Sequence, residues 1–297
     1  MKCNLCPRKC KIDRKMGQTG VCGQTEELKV ARAALHYWEE PCISGEKGSG
    51  AVFFSGCALH CVFCQNENIA NGTTGKNISI ERLSEIFLEL QEKGANNINL
   101  VTPGHFVPQI IRALDLAKKN GMNLPVVYNT SSYESIETIK MLDGYVDIYL
   151  PDFKYMSSAL SAKYSHAADY AEVAEAAIEE MVRQTGKARF INEDEDNLML
   201  SGTIVRHLML PGCMDDSKAI LKYLHETYGE SVYISIMNQF TPLSNVSGYP
   251  ELNRKITEKE YEELVDYAIG IGIENGFIQE GDTAEESFIP AFDCEGV

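Results

Sequence analysis

Apolar positions along this chain follow two alternating rhythms. Near-continuous apolar runs of strand length occur at residues 51–55, 98–101, 124–128, 146–150, 204–210 and 232–237. Residues 80–93, 107–120, 133–142, 168–185, 217–228 and 258–270 instead space their apolar side chains as a helix with one buried stripe would. Thr257 followed by Glu260 predicts a capping box for the last of these, and Gly94, Gly121 and Gly144 stand where helices should end. Strands apolar on both faces that alternate with helices describe a parallel sheet covered by those helices. Six such units predict an α/β fold closed as a partial (β/α)6 TIM-like barrel, with a flat doubly wound sheet as the alternative. Either arrangement binds ligands at the carboxyl ends of its strands. Upstream, Leu28-Lys29-Val30-Ala31 reads as extended and leads into the loop Trp38-Glu39-Glu40-Pro41-Cys42. The expected division is residues 1–45, a cysteine-rich metal knuckle with its extended lead-in, and residues 46–297, the barrel core with a C-terminal helix and tail.

Composition changes this picture little. The 297 residues are 44% hydrophobic and 24% charged, as in an ordinary globular protein. A net charge of −16 argues against a sequence-independent grip on nucleic acid, which needs a basic surface. No apolar run is long enough to span a bilayer and no signal-peptide pattern opens the chain, so the expected location is the cytoplasm.

The cysteines change it more. Eight of the ten lie in the first 64 residues, seven of them in two groups and Cys42 between. Clustered thiols in a reducing compartment point to metal rather than disulfides. Cys57, Cys61 and Cys64 have the spacing C-x3-C-x2-C directly after the first core strand. Three local thiolates on a four-iron cluster leave one iron without a protein ligand, free to bind a small molecule. The competing reading is a structural site whose fourth ligand is Cys42 or His60.

This triplet, with the aromatic Phe63 before its third cysteine, resembles the signature of the radical S-adenosylmethionine (SAM) superfamily. The resemblance implies a [4Fe–4S] cluster whose open iron chelates SAM. An electron from the cluster then splits SAM into methionine and a 5′-deoxyadenosyl radical that takes hydrogen from a substrate. Further segments resemble one group, the pyruvate formate-lyase activating enzyme-like (PflX-type) proteins. They are Ser55-Gly56-Cys57, Cys64-Gln65-Asn66, Thr102-Pro103-Gly104-His105, Leu150-Pro151-Asp152-Phe153-Lys154, Arg206-His207-Leu208-Met209-Leu210-Pro211-Gly212 and Met237-Asn238-Gln239-Phe240. The likeness runs from Cys3 to about Gln279 and takes in Trp38–Gly45, a stretch composition does not explain.

The resemblance implies SAM contacts at Phe63, Gly104, Asn129, Thr130, Asp152 and Lys154. Gly104 keeps the small residue of the superfamily's Gly-Gly-Glu turn, while His105 stands in place of the acid. Asp152 and Lys154 match the Asp-x-Lys of the activating enzymes, with the lysine suited to the SAM carboxylate. Asp152 is implied to meet the SAM ribose or a bound monovalent cation, which Asn129-Thr130 would help hold. Gln239 or Phe240 borders the adenine.

Cys3, Cys6, Cys10 and Cys22 form a second set, C-x2-C-x3-C-x11-C, which fits either a tetrahedral zinc ion or a second, fully ligated Fe–S cluster. The six basic residues around them (Lys2, Arg8, Lys9, Lys11, Arg14, Lys15) compensate thiolate charge, or else make a nucleic-acid knuckle. Cys213 reads as a buried thiol or a catalytic one, Cys294 as incidental, and Asp194-Glu195-Asp196 as a solvated acidic loop. The expected activity is that of an oxidoreductase activating a glycyl-radical protein, served by an electron donor such as flavodoxin or ferredoxin. Alternatives are a radical SAM enzyme acting on another peptide or small molecule, and a non-catalytic Fe–S or zinc scaffold.

Overall fold

The computed structural model describes residues 2–191, 197–279 and 290–297. The acidic loop 194–196 lies outside them. Strand β1 (Leu28–His36) is followed by the one-turn helix α1 (Pro41–Ser44) and strand β2 (Ser49–Phe54). After the short helix α2 (Glu67–Ala70) and edge strand β3 (Lys76–Ile78), strands and helices alternate. These are α3 (Ile80–Glu92), β4 (Ile98–Val101), α4 (Val107–Lys119), β5 (Val126–Thr130), α5 (Ile136–Met141) and β6 (Ile148–Pro151). Two helices, α6 (Ser158–Ser165) and α7 (Tyr170–Thr185), precede β7 (Arg189–Phe190) and β8 (Met199–Leu208). The last elements are α8 (Met214–Tyr228), β9 (Tyr233–Met237), α9 (Glu258–Gly270) and β10 (Gly276–Ile278).

Strands β2, β4, β5, β6, β8 and β9 lie side by side in chain order, all parallel. A doubly wound sheet would reverse direction part-way, so the singly wound, partial-barrel reading holds. Each strand alternates between two apolar environments. Phe54, Leu100, Tyr128, Tyr149 and Val205 face the helices, where Phe87, Ile110, Leu114, Ile178, Ile220 and Leu264 complete the main core. On the other face, Val127, Ile148, Leu150, Met199 and Ile204 pack against Cys42 and Ile43.

Those last two contacts move a boundary. The 28–36 segment pairs antiparallel with β2 from Val30 to His36, and β10 adds a seventh parallel strand beside β9. Residues 28–45 thus belong to the sheet and its filling, so the expected division after residue 45 falls inside the core. Helix α1 is held there by Asn96 and Asn97, whose side-chain amides donate to the Ser44 and Ile43 carbonyls at 2.7 Å each. The sequence pattern also gave no sign of α6, because its apolar residues follow no helical stripe.

The capping box at Thr257 and Glu260 forms as expected. Among the described residues no helix is long and apolar enough to cross a membrane. Ile43 is fully buried between α1 and the inner strand faces. Ile43→Ala should therefore cost about 3 kcal/mol in urea unfolding, and a loss under about 1 kcal/mol would show that α1 does not fill the barrel.

Candidate active site

The loop after β2 carries the cysteine triplet. Gly56 opens it at φ 93°, where a Cβ would collide with the Cys22 carbonyl oxygen, so the N-terminal segment lies directly against it. Sulfur receives donors here: the Leu59 amide approaches Cys57 Sγ at 3.4 Å and Ser165 Oγ approaches Cys61 Sγ at 2.9 Å. Burial pushes the Cys61 and Cys64 thiols well up, and the neighbouring Lys154 ammonium pulls both back in part. Thiols that resist ionisation on their own become thiolates when a metal sits among them. Neither proposed fourth ligand joins them. The His60 ring turns to the Val21 carbonyl at 2.7 Å, and Cys42 lies in the apolar filling beside Ile148 and Leu150.

Cys57, Cys61 and Cys64 line one side of a cavity of about 450 Å³ inside the barrel, within the range of small-ligand sites. Phe63, Asn129, Thr130, Asp152 and Lys154 line it too. Phe63 meets Phe240 edge to face at 5.9 Å; Gln239, rather than Phe240, reaches the cavity. Gly104 does not line it. A Cβ on Gly104 would strike the Glu134 carboxylate, so its smallness makes room for that buried acid. At this turn the wall is Thr102, a β-branched residue held at φ 56°, a conformation that costs about 1–3 kcal/mol. His105 and Cys213 also stay out of the lining. His105 spends a ring nitrogen on the Ser55 carbonyl at 2.7 Å, and burial lowers its pKa to about 4.

The polar side of the cavity is one ion network. Lys154 Nζ meets Asp152 Oδ2 at 2.7 Å. Arg206 Nε donates to Asp152 Oδ1 at 2.9 Å, its Nη1 to Glu39 Oε2 at 3.0 Å and its Nη2 to Asn129 Oδ1 at 2.7 Å. Burial alone would raise the Asp152 pKa, but Arg206 and Lys154 outweigh it and hold the carboxyl ionised. Asn129 and Asp152, expected to border a monovalent cation, thus give their oxygens to the Arg206 guanidinium. Glu39 Oε1 accepts from Asn99 and Asn129 as well, at 2.9 and 3.0 Å.

Glu39 and Arg206 had no assigned role in the sequence reading. The signal was there: a charged residue inside an apolar strand, and an acidic pair in the stretch that composition left unexplained.

The N-terminal segment closes over the cluster loop. Arg8 donates to the carbonyls of Ala58, His166 and Ser165 at 2.8, 2.6 and 3.2 Å and stacks on Tyr133, while Arg14 bonds the His105 carbonyl over Phe106. Two of the six basic residues are therefore internal anchors. Cys6, Cys10 and Cys22 lie within electrostatic reach of one another, as do Cys3 and Cys22; burial raises Cys6 to about 12. The Val21 amide approaches Cys10 Sγ at 3.5 Å. Among the described residues no three Cys, His, Asp or Glu are gathered as for a single metal ion. The Cys57, Cys61 and Cys64 triplet suits a cluster with one open iron, and the four N-terminal thiols suit a second cluster or a zinc ion.

A model of the radical SAM superfamily matches residues 51–191, a span that contains the cluster loop and Lys154. The chain carries a radical SAM domain. It is 26% identical over 274 residues to an uncharacterized protein of Methanocaldococcus jannaschii, MJ0674, covering 90% of this chain and 74% of that one. Among solved structures, HydG, a maturase of the [FeFe]-hydrogenase, superposes with a TM-score of 0.53 at 17% identity, over 80% of this chain and 54% of HydG. Streptococcus suis SuiB bound to S-adenosylmethionine gives 0.50 at 12% identity, over 75% of this chain and 48% of SuiB. The chain spans about half the length of each. At these identities the likeness is one of fold.

Glu134 supplies a stability test at this site. Burial raises its pKa from 4.5 to about 7, although Thr130 and Tyr128 donate to it. Below about 4.5 both folded and unfolded forms are protonated. As pH rises towards 7 only the unfolded form ionises, so folding loses stability through that window. Wild type should lose up to about 3 kcal/mol relative to Glu134→Gln between pH 4.5 and 7 in urea unfolding; parallel pH profiles would contradict the assignment.

Proposed function

We propose that this chain reductively cleaves SAM at a [4Fe–4S] cluster on Cys57, Cys61 and Cys64, and uses the radical to take hydrogen from a glycine of a partner protein or peptide. One observation carries the reading: the cysteine triplet lines the same cavity as Lys154, Asp152 and Arg206. Bound there, the cluster and SAM would supply an electron and a 5′-deoxyadenosyl radical. The protein's part is to place them. Lys154 presents an ammonium beside Cys61 to a carboxylate, Asp152 holds that ammonium, and Phe63 screens the cluster from water. Thr102, Asn129 and Thr130 offer polar groups at the strand ends.

The cavity must hold both groups, which leaves room for a small hydrogen donor such as glycine. Tyr37 and Trp38 at its rim are 51% and 62% exposed, an aromatic pair suited to a docked peptide. An external donor such as flavodoxin or ferredoxin would reduce the cluster. Cys3, Cys6, Cys10 and Cys22 would hold a second Fe–S cluster, with the Val21 amide donating to a Cys10 thiolate.

Anaerobic reconstitution followed by chromatography tests the reading. Reduced wild type should release 5′-deoxyadenosine from SAM, Cys61→Ala should fall to background, and Cys6→Ala should keep SAM cleavage while losing about four irons. No deoxyadenosine from wild type overturns the enzyme reading, and loss of zinc alone from Cys6→Ala overturns the second cluster. With a candidate glycyl-radical protein present, a glycine-centred doublet in electron spin resonance selects the activating role. No doublet across candidates favours another peptide or small-molecule substrate.

A further inference from the structure

Helix α6 ends against the cluster loop, and its last side chain turns to a sulfur. The Val62 amide donates to the Tyr164 carbonyl at 2.9 Å, which joins the loop to the end of the helix through backbone. Arg8 ties the same two pieces together through the carbonyls of Ala58, Ser165 and His166. Within this clamp Ser165 is fully buried, and its Oγ lies 2.9 Å from Cys61 Sγ. A serine in a helix ordinarily spends its hydroxyl on a backbone carbonyl one turn back. Ser161 does so, on the Ser158 carbonyl at 3.2 Å. For Ser165 the carbonyl four residues back, that of Ser161, is already taken by the amides of His166 and Ala167. The hydroxyl turns to the sulfur instead.

Proton counting fixes the direction of that bond. Tyr155 is also buried, and its OH lies 2.8 Å from Ser165 Oγ, where either oxygen could donate. A cysteine that ligates metal is a thiolate with no proton to give, so Ser165 must donate to Cys61. The single hydroxyl proton of Ser165 is then committed, and Tyr155 must donate to Ser165. Both hydroxyl dipoles thus point their positive ends towards the sulfur, in surroundings where such alignment is felt more strongly than in water. Reduction of an Fe–S cluster adds negative charge that its sulfurs share, and hydrogen bonds to those sulfurs help to set its potential. A donor there stabilises the reduced form.

We propose that Ser165, oriented by Tyr155, eases reduction of the cluster by donating a hydrogen bond to its Cys61 ligand. This rests on the cluster reading above, and assigns the residues that set how readily the site accepts its electron. The external donor protein is oxidised by one electron and the cluster reduced by one; no proton leaves Ser165 and no covalent bond changes. Ser165 acts through Cys61, and Tyr155 is a positioning residue that acts through Ser165.

The test is the reduction potential of the reconstituted full chain, read by electron spin resonance on samples poised anaerobically over a range of potentials. The signal followed is the one that changes when SAM is added, since a cluster with an open iron responds to SAM and a fully ligated one does not. In Ser165→Ala the ratio of reduced to oxidised cluster at a fixed potential should fall at least about threefold, or about 28 mV at about 59 mV per tenfold for one electron. A smaller fall, or a rise, overturns the proposal. Tyr155→Phe should lower the ratio in the same direction, and should change nothing once Ser165 is alanine. No fall in that single variant, or a fall that persists in the double one, overturns the relay. Loss of iron from Ser165→Ala with an unchanged potential in the clusters that remain marks a structural role, against the proposal. If Ser165→Ala fails to fold because it strands the buried Tyr155 hydroxyl, serine and alanine are compared in the Tyr155→Phe background by the same threshold. A wild type that assembles no SAM-sensitive cluster strikes the cluster reading and the proposal together. A cluster that assembles but ignores Ser165 strikes the proposal alone.

Discussion

One buried guanidinium ties the cavity together. Arg206, on β8, reaches across the inner face to Asn129 at the end of β5, to Asp152 just beyond β6, and to Glu39 in the segment that precedes α1. Burial alone would drive an arginine towards losing its proton; the carboxylates of Asp152, Glu39 and Glu40 reverse this and raise its pKa. Such a group is strongly destabilising if it loses its partners, because the desolvation of each charge has already been incurred. The partners therefore stay put, and with them the strand ends they occupy. Asp152 in turn fixes Lys154, and Lys154 is the cation nearest the cluster thiols.

Around this network the fold supplies two kinds of wall. Apolar filling from Cys42 and Ile43 closes one part of the barrel, so the cavity is left at the end where the strands present Asn129, Thr130 and Asp152. Opposite, the cluster loop is pressed between the barrel and the N-terminal segment, with Arg8 clamped on three of its surrounding carbonyls. Both thiol sets thus belong to one packed unit, in contact through Cys22 and Gly56. Disturbance of the N-terminal set should therefore be felt by the cluster loop as mechanical loosening, even where the chemistry needs only the triplet.

Much of this was legible from residues alone. The six parallel strands could be read because strands buried on both faces are apolar without interruption, and the triplet because its ligands are adjacent in sequence. Asn129, Thr130, Asp152 and Lys154 share a cavity because they stand at or just past strand ends, and Phe63 joins them from the cluster loop after β2. What escaped the sequence depends on partners far apart in the chain. Glu39 and Arg206 meet across 167 positions, and neither spacing nor periodicity records such a pair. Gly104 has a further neighbour that spacing does not record. A glycine shows that something must come close, and the Glu134 carboxylate is one such neighbour here. Strand β1 was read only in part, and α1 was missed because four residues are too few to show a period.

The central claim is that the Glu39–Arg206 bond organises the cavity. A double-mutant cycle on Glu39→Gln and Arg206→Met, read by urea unfolding of the full chain, tests it most directly. The account predicts that each single change is more damaging than the pair warrants, with a coupling energy of about 2 kcal/mol or more. Additivity within about 0.5 kcal/mol would contradict it, and would reduce the network to neighbours that happen to lie close.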